Sequence, residues 1–266
     1  MPRSGGEGIQ LTDIKGITGA SRRVTPMTWS PDGTKIAFLR TEPKSREQTQ
    51  SEKNGYDAIE FEKHPRFTYL WTVDVSSKTI RRVSPVGLQI WEFSWAPNSK
   101  GFIAVVSDLP YEKYWYTNRL AAFSTGGKNL RNINSPNRQV ARPVWSPDEK
   151  TIAFVSSNFS DRGITPGAIF TSKHGSKIID VCSNHRSSVT QMDWLDDSKH
   201  LVTVAQSKGG YAIAKVNSLN GSRQLLWKGE VGICDDVSTF SRDNRGTLAL
   251  VREDPMKQKD DDFKRK

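Results

Sequence analysis

Cysteine and histidine are scarce in this chain, and their scarcity closes off several chemistries at once. The 266 residues contain two cysteines, Cys182 and Cys234, and four histidines, His64, His174, His185 and His200. Two cysteines build neither a disulfide framework nor a thiolate metal set, so both are expected to be buried thiols in a reducing compartment. No His, Cys, Asp or Glu cluster has metal-ligand spacing, and no glycine-rich loop opens a helix to cradle a phosphate. The expectation is therefore no metal, no cofactor and no cofactor-binding residue. Apolar residues make up only 35% of the chain, and no run approaches the ~20 residues that a membrane-spanning helix requires. Met1 to Gln10 lacks the apolar core of a signal peptide. A cytoplasmic protein with no membrane partner is the expected setting.

Acidic residues are also in deficit, 29 against 39 lysines and arginines, for a formal net charge of +10. The basic residues fall mainly in scattered pairs such as Arg22-Arg23 and Arg81-Arg82. The stretch Tyr111 to Tyr116 interleaves aromatics with Lys113, as a nucleic-acid stacking platform does, but it lies between two hairpins and is expected to pack over a blade edge. Nucleic acid is not an expected partner, and the charge is read as a solubility and steering term.

What the chain does have is a repeat. Trp29-Ser30-Pro31-Asp32-Gly33-Thr34-Lys35-Ile36-Ala37-Phe38 returns at Trp95 to Val105, at Trp145 to Phe154 and, more weakly, at Trp194 to Val202 and Phe240 to Leu250. The leading aromatics stand at 29, 95, 145, 194 and 240, giving steps of 66, 50, 49 and 46 residues. Ser-Pro-Asp-Gly suits a type I turn: Ser30 accepts from the turn backbone, Pro31 presets φ, and Gly33 tolerates the left-handed region. Each turn leads into a nearly unbroken apolar strand: Ile36–Leu39, Phe102–Val106, Ile152–Val155, Leu201–Ala205 and Leu248–Val251. Such continuity predicts burial on both faces, as in a blade held between neighbours. The aromatics Trp29, Trp95, Trp145, Trp194 and Phe240 are expected to be buried in those seams at about 150–250 Å² each.

A second hairpin follows each of the first four: Tyr69–Val75 with Thr79–Val83, Asn118–Ser124 with Leu130–Ile133, Ala168–Ser172 with Lys177–Val181, and Tyr211–Asn217 with Arg223–Trp227. Gly126-Gly127, His174-Gly175 and Asn220-Gly221 mark tight reversals between them. Four strands per period predict an all-β fold, a partial, open β-propeller of about four and a half four-stranded antiparallel blades. The propeller is assigned to residues 1–255 and a charged, disordered tail to 256–266. The long first step places a polar loop at Thr41–His64, whose Tyr56–Phe61 part alternates like a short extra strand. Ile9–Ile14 reads as a further strand. The fifth unit lacks its second hairpin, which leaves open sheet edges and predicts self-association or a partner that completes the ring.

The Trp-Ser-Pro-Asp-Gly-x-x-Ile-Ala-Phe element resembles the repeat of TolB-like propellers and of the prolyl oligopeptidase family of serine peptidases. Over Trp29–Ser84, with Asp57-Ala58-Ile59 and Pro65 to Val75 in the same order, the chain is similar to the propeller of acylaminoacyl-peptidase and dipeptidyl-peptidase relatives. Leu248 to Pro255 resembles a stretch that leads into further blades there. The resemblance implies a propeller that gates short peptides toward a separate α/β-hydrolase domain bearing a Ser-Asp-His triad. No Gly-x-Ser-x-Gly occurs in this sequence. The four histidines fall at the end of an insertion, in a turn, in an inter-blade loop and at the head of a strand, so no catalytic residue is expected. The periodic Asp32, Asn98, Asp148 and Asp197 are read as turn residues. Peptide substrate would then be met only through a catalytic partner. The other reading is a stand-alone TolB-like interaction scaffold.

Overall fold

Each Trp-x-Pro-Asx motif folds as the turn joining the first two strands of a sheet. The computed structural model describes residues 8–15, 27–56, 58, 60, 62–158, 166–173, 177–183, 188–207, 209–230, 232–233, 240–243 and 246–253. Blade 1 comprises β1 (Met27–Trp29), β2 (Lys35–Thr41), β3 (Thr68–Asp74) and β4 (Ile80–Arg82). Blade 2 comprises β5 (Gln89–Trp95), β6 (Gly101–Ser107), β7 (Arg119–Ser124) and β8 (Arg131–Ile133). Blade 3 holds β9 (Gln139–Trp145), β10 (Thr151–Ser157), β11 (Ala168–Lys173) and β12 (Ile178–Asp180). Blade 4 holds β13 (Ser188–Trp194), β14 (His200–Ser207), β15 (Gly210–Asn217) and β16 (Arg223–Gly229). In all four, strands pair antiparallel with their sequence neighbours.

The turns are built as the residue types require. Ser30 Oγ accepts from Lys35 N–H at 2.9 Å and donates to Asp32 Oδ1 at 2.6 Å, while Gly33 N–H closes on Ser30 C=O at 2.8 Å. Ser146 repeats this with Thr151 N–H at 2.9 Å and Asp148 Oδ1 at 2.7 Å. The fourth residue after each Trp is left-handed: Gly33 at φ 71°, Ser99 at 61°, Glu149 at 60° and Ser198 at 54°. Only glycine takes that conformation without a steric cost, so three of the four turns hold strain that their hydrogen bonds offset.

The apolar strands are buried on both faces where a blade lies on each side. Blade 1 meets blade 2 through Ala37, Leu39, Leu70, Trp95 and Phe102, and a larger core runs from Ile103 and Val105 of blade 2 through Phe154 of blade 3 to Leu201 of blade 4. β5, β9 and β13 touch in succession and stand side by side as the innermost strands. The result is all-β, four blades and part of a fifth in an open propeller. In the fifth unit β18 (Phe240–Arg242) pairs with β19 (Leu248–Leu250), and β17 (Gly232–Ile233) pairs with β20 (Arg252–Glu253). The fifth unit is thus two short pairs, and its apolar strand is half-exposed at Leu248 and Leu250, with Val251 60% exposed.

Several expectations are corrected. The Thr41–His64 insertion is not merely a loop: Arg46–Lys53 form a helix, α1, started by a capping box in which Ser45 and Gln48 exchange side chain-to-backbone hydrogen bonds. Polar on every side, α1 buries no residue, so capping rather than packing defines it. No extra strand forms among the described residues of Tyr56–Phe61, and Asp57, Ile59 and Phe61 lie outside them. Ile9–Ile14 is not a strand either; this segment is held by Arg40 Nε donating to Lys15 C=O at 2.8 Å and Lys78 Nζ to Gln10 C=O at 3.4 Å. Of the stretch Tyr111–Tyr116 only Trp115 is buried, edge-on to Trp91, while Glu112, Lys113 and Tyr116 are exposed. Lys113 reaches back to pair with Glu62 of the insertion at 2.6 Å.

The motif aromatics also divide. Trp95 and Trp194 are 8% and 2% exposed, Trp145 and Phe240 are half-buried, and Trp29 is 58% exposed, against the expectation that all five are buried. The reason is directional. Trp95 Nε1 donates to Thr28 C=O of blade 1 at 3.3 Å, and Trp194 Nε1 to Val144 C=O of blade 3 at 3.2 Å. Trp95 and Trp194 thus reach back to the blade before them, and Trp29, at the same place in the repeat, projects from the outward face of blade 1.

Candidate functional site: inner strand edges and an open seam

The inner strand of a blade turns one edge toward the preceding blade, and unpaired buried backbone on that edge is costly. Side chains of the preceding blade bracket that edge at β9 and β18, and at β13 the backbone of Gly167 in blade 3 bridges Val189 at 2.8 and 3.0 Å. Asn118 Oδ1 accepts from Val140 N–H at 2.9 Å while its Nδ2 donates to Val140 C=O at 3.0 Å. Glu92 Oε2 accepts from Arg142 N–H at 2.7 Å, and Ser94 Oγ donates to Pro143 C=O at 2.7 Å. Gln191 serves β18 in the same way, accepting from Phe240 N–H at 3.0 Å and donating to Phe240 C=O at 3.4 Å. Glu92, Arg142 and Gln191 each stand three residues before their motif Trp, beside a bulge that shifts register in all three inner strands. Arg142 is left-handed at φ 51°. Burial pushes the Glu92 carboxyl above its usual range, with the Arg142 charge opposing it.

The recurring carboxylates serve as turn anchors. Hydrogen bonds from Ser30 and from Thr34 hold Asp32 down at about 2. Asp197 is reduced to about 2 although burial opposes it, because the His200 ring and the Lys199 and His200 amides donate to it. His200 heads β14 and is 2.6 Å from Asp197 within its own turn. His64 is exposed in a bend, and His174, His185 and Cys234 lie outside the described residues. Cys182 is a buried free thiol whose pKa is raised by burial. Among the described residues no group of three His, Cys, Asp or Glu is disposed to hold a metal, and no helix is long and apolar enough to cross a membrane.

The three seams between successive blades differ. A cleft of about 340 Å³ opens between blades 2 and 3, lined by Lys100, Gly101, Ala122, Ser124, Arg131 and Trp145 among others. Its cause is legible in the register. Gly101 pairs with Ser124 and Ala122 with both Ile103 and Arg131. The equivalent positions are Lys35, Thr72 and Asp74 in blade 1 and Thr151, Thr171 and Lys173 in blade 3. Blade 2 carries smaller side chains at all three places, and Trp145 stays half-buried beside the space. The outer wall is Arg131, whose guanidinium lies 5.9 Å from the Trp145 ring centroid and whose pKa is lowered by burial. Sequence reasoning missed both the brackets and this cleft. The signal for the cleft was present as Gly101, Ala122 and Ser124 against their counterparts, once the pairing register is known.

No protein-family model matches the chain, and no curated relative matches it by sequence. Solved structures do match. Oligogalacturonate lyase from Vibrio parahaemolyticus aligns at 13% identity with a TM-score of 0.61, over 90% of this chain and 60% of that one. TolB from Acinetobacter baumannii aligns at 14% identity and TM-score 0.50, over 83% and 46%. An acylaminoacyl peptidase from Pyrococcus horikoshii aligns at 12% identity and TM-score 0.58, over 85% and 34%. At such identities the likeness shows the fold alone. The chain is an open β-propeller resembling those of TolB-like proteins and the propeller domains of this peptidase family. It spans at most about 60% of the length of these structures.

Proposed function

We propose that this chain is the non-catalytic propeller portion of a prolyl-oligopeptidase-like serine peptidase of the acylaminoacyl-peptidase kind, admitting short peptides to a hydrolase domain supplied in cis or in trans. The carrying observation is the outward face of blade 1. Trp29 and Met27 are 58% and 56% exposed there, whereas the equivalent faces at Trp95 and Trp194 are covered by a preceding blade that accepts the indole N–H. A face of this composition is suited to a completing blade or to a domain seated on the ring. The likeness to the peptidase propeller supports the kind of partner. The reducing cytoplasm is its setting, in keeping with the Cys182 thiol. A scaffold role like that of TolB-type propellers is favoured by a different surface, the outermost strand β16, where Leu225 and Leu226 are 51% and 50% exposed.

The test is activity-based labelling. The isolated chain treated with a fluorophosphonate probe is expected to stay unlabelled and to leave a chromogenic acyl-amino-acid substrate intact. The native protein, immunopurified from its source cells, is expected to carry or co-purify a labelled serine hydrolase. Labelling of the isolated chain, or a native assembly with no labelled component, overturns the peptidase reading, and the second result supports the scaffold.

A further inference from the structure

We propose that the cleft between blades 2 and 3 is a binding site for a small organic carboxylate carried on an aromatic or apolar body. The inference does not depend on the peptidase reading, because it rests on how this one seam departs from its neighbours. Trp95 and Trp194 are sealed into their seams at 8% and 2% exposure and donate to the preceding blade. Trp145 occupies the same place in the repeat, yet it is half-buried beside a space of about 340 Å³. The space is built into blade 2 by Gly101, Ala122 and Ser124. A Cβ at position 101 would stand 3.0 Å from the Phe123 carbonyl oxygen, so close strand approach favours glycine there and the gap persists.

The lining states what would fit. Trp145, Ala96, Ala122 and the Phe102 and Phe123 segments supply an apolar floor and one aromatic wall. Lys100 and Arg131 bring two cations to the rim, against a single carboxylate, Glu149. Glu149 is engaged: its Oε2 accepts from Asn98 Nδ2 at 2.7 Å across the seam. Asn98 is in turn fixed by accepting from Lys100 N–H at 2.8 Å, which sets the position of the lysine backbone. Arg131 is held over Trp145, and its planar guanidinium can meet a carboxylate through two parallel hydrogen bonds. An aromatic body against an indole with its carboxylate met by an adjoining Arg and Lys satisfies both halves of this lining.

The experiment is a titration of the full chain with N-acetyl-phenylalanine, followed by the indole N–H cross-peaks of ¹⁵N-labelled protein. The Trp145 signal is assigned by its loss in Trp145→Phe. Saturable movement of that signal is expected, with a Kd on the order of 1 mM for a ligand of this size. N-acetyl-phenylalaninamide, which lacks the carboxylate, should bind at least about tenfold more weakly, and so should the acid to Arg131→Gln. Ala122→Thr gives blade 2 the residue its neighbours carry and should abolish binding while leaving the other indole signals in place. If that variant misfolds, Arg131→Gln and Lys100→Gln on the rim decide the matter alone. Equal binding of acid and amide, tighter binding of phenyl phosphate than of the carboxylate, retention of affinity in a folded Ala122→Thr, or no saturable shift of Trp145 each overturns the assignment.

Discussion

Trp29 and Trp194 begin the same turn in the same repeat, yet one is 58% exposed and the other 2%. The better copy of the motif, Trp-Ser-Pro-Asp-Gly, belongs to the exposed residue, and the degenerate Trp-Leu-Asp-Asp-Ser to the buried one. Burial here depends on what the preceding blade presents: a carbonyl for the indole N–H and a flat apolar face for the ring. Trp194 finds Val144 C=O and the core of blade 3. Motif strength therefore reports the turn, while seam energetics belong to the pair of blades.

The largest expected effect separates those two residues. Trp194→Ala should lower unfolding free energy by about 3–5 kcal/mol, and Trp29→Ala by less than about 1 kcal/mol, as read by equilibrium urea unfolding. Trp145→Ala should fall between them, at roughly 1–3 kcal/mol, because its seam is already open. A loss at Trp29 equal to that at Trp194 would mean that its outward face is covered in solution and would break the comparison.

Next in size is the bracket on the inner edge of blade 3. Asn118→Ala leaves both Val140 backbone groups without their partner and should cost about 1–3 kcal/mol. Faster hydrogen exchange of the Val140 amide, with the Gly167–Val189 bridge between blades 3 and 4 unchanged, would locate the damage. Unchanged exchange at Val140 would show that the bracket is not what protects this edge.

The smallest effects are electrostatic, and they oppose each other. Asp32, Asp148 and Asp197 are held below the usual carboxylate value by hydrogen bonds, so their contribution is complete above about pH 4 and is lost as pH falls through their lowered values, about 2 for Asp32 and Asp197. Glu92 is raised by burial, so its contribution is complete below about pH 4 and is lost as pH rises through its elevated value. Glu92→Gln keeps an acceptor for Arg142 N–H, as Gln191 does for Phe240, and removes the buried charge. The variant should be at least as stable as the parent at neutral pH and should unfold in acid at the same pH. A marked loss at neutral pH would show that the Arg142 attraction outweighs the burial.

How much was legible beforehand follows from the range of each interaction. The hairpins were legible because Ser30, Pro31, Asp32 and Gly33 satisfy one another within five residues. The four-strand period and the open propeller followed from the same short-range rules applied five times. The candidate site was not legible. Asn118 meets Val140 22 residues away, and Glu92 meets Arg142 50 away, so both side chains look like ordinary loop and strand polar residues until the blades stack.

The sequence by itself determined the turns, the strands they join and the doubly buried character of β6, β10 and β14, because φ preferences and alternation act over a few residues. The tertiary structure decided which motif Trp is sealed, which inner edge is bracketed and which seam stays open. Those outcomes depend on facing surfaces contributed by separate blades: Gly101, Ala122 and Ser124 become a cleft only when Trp145 is set opposite them.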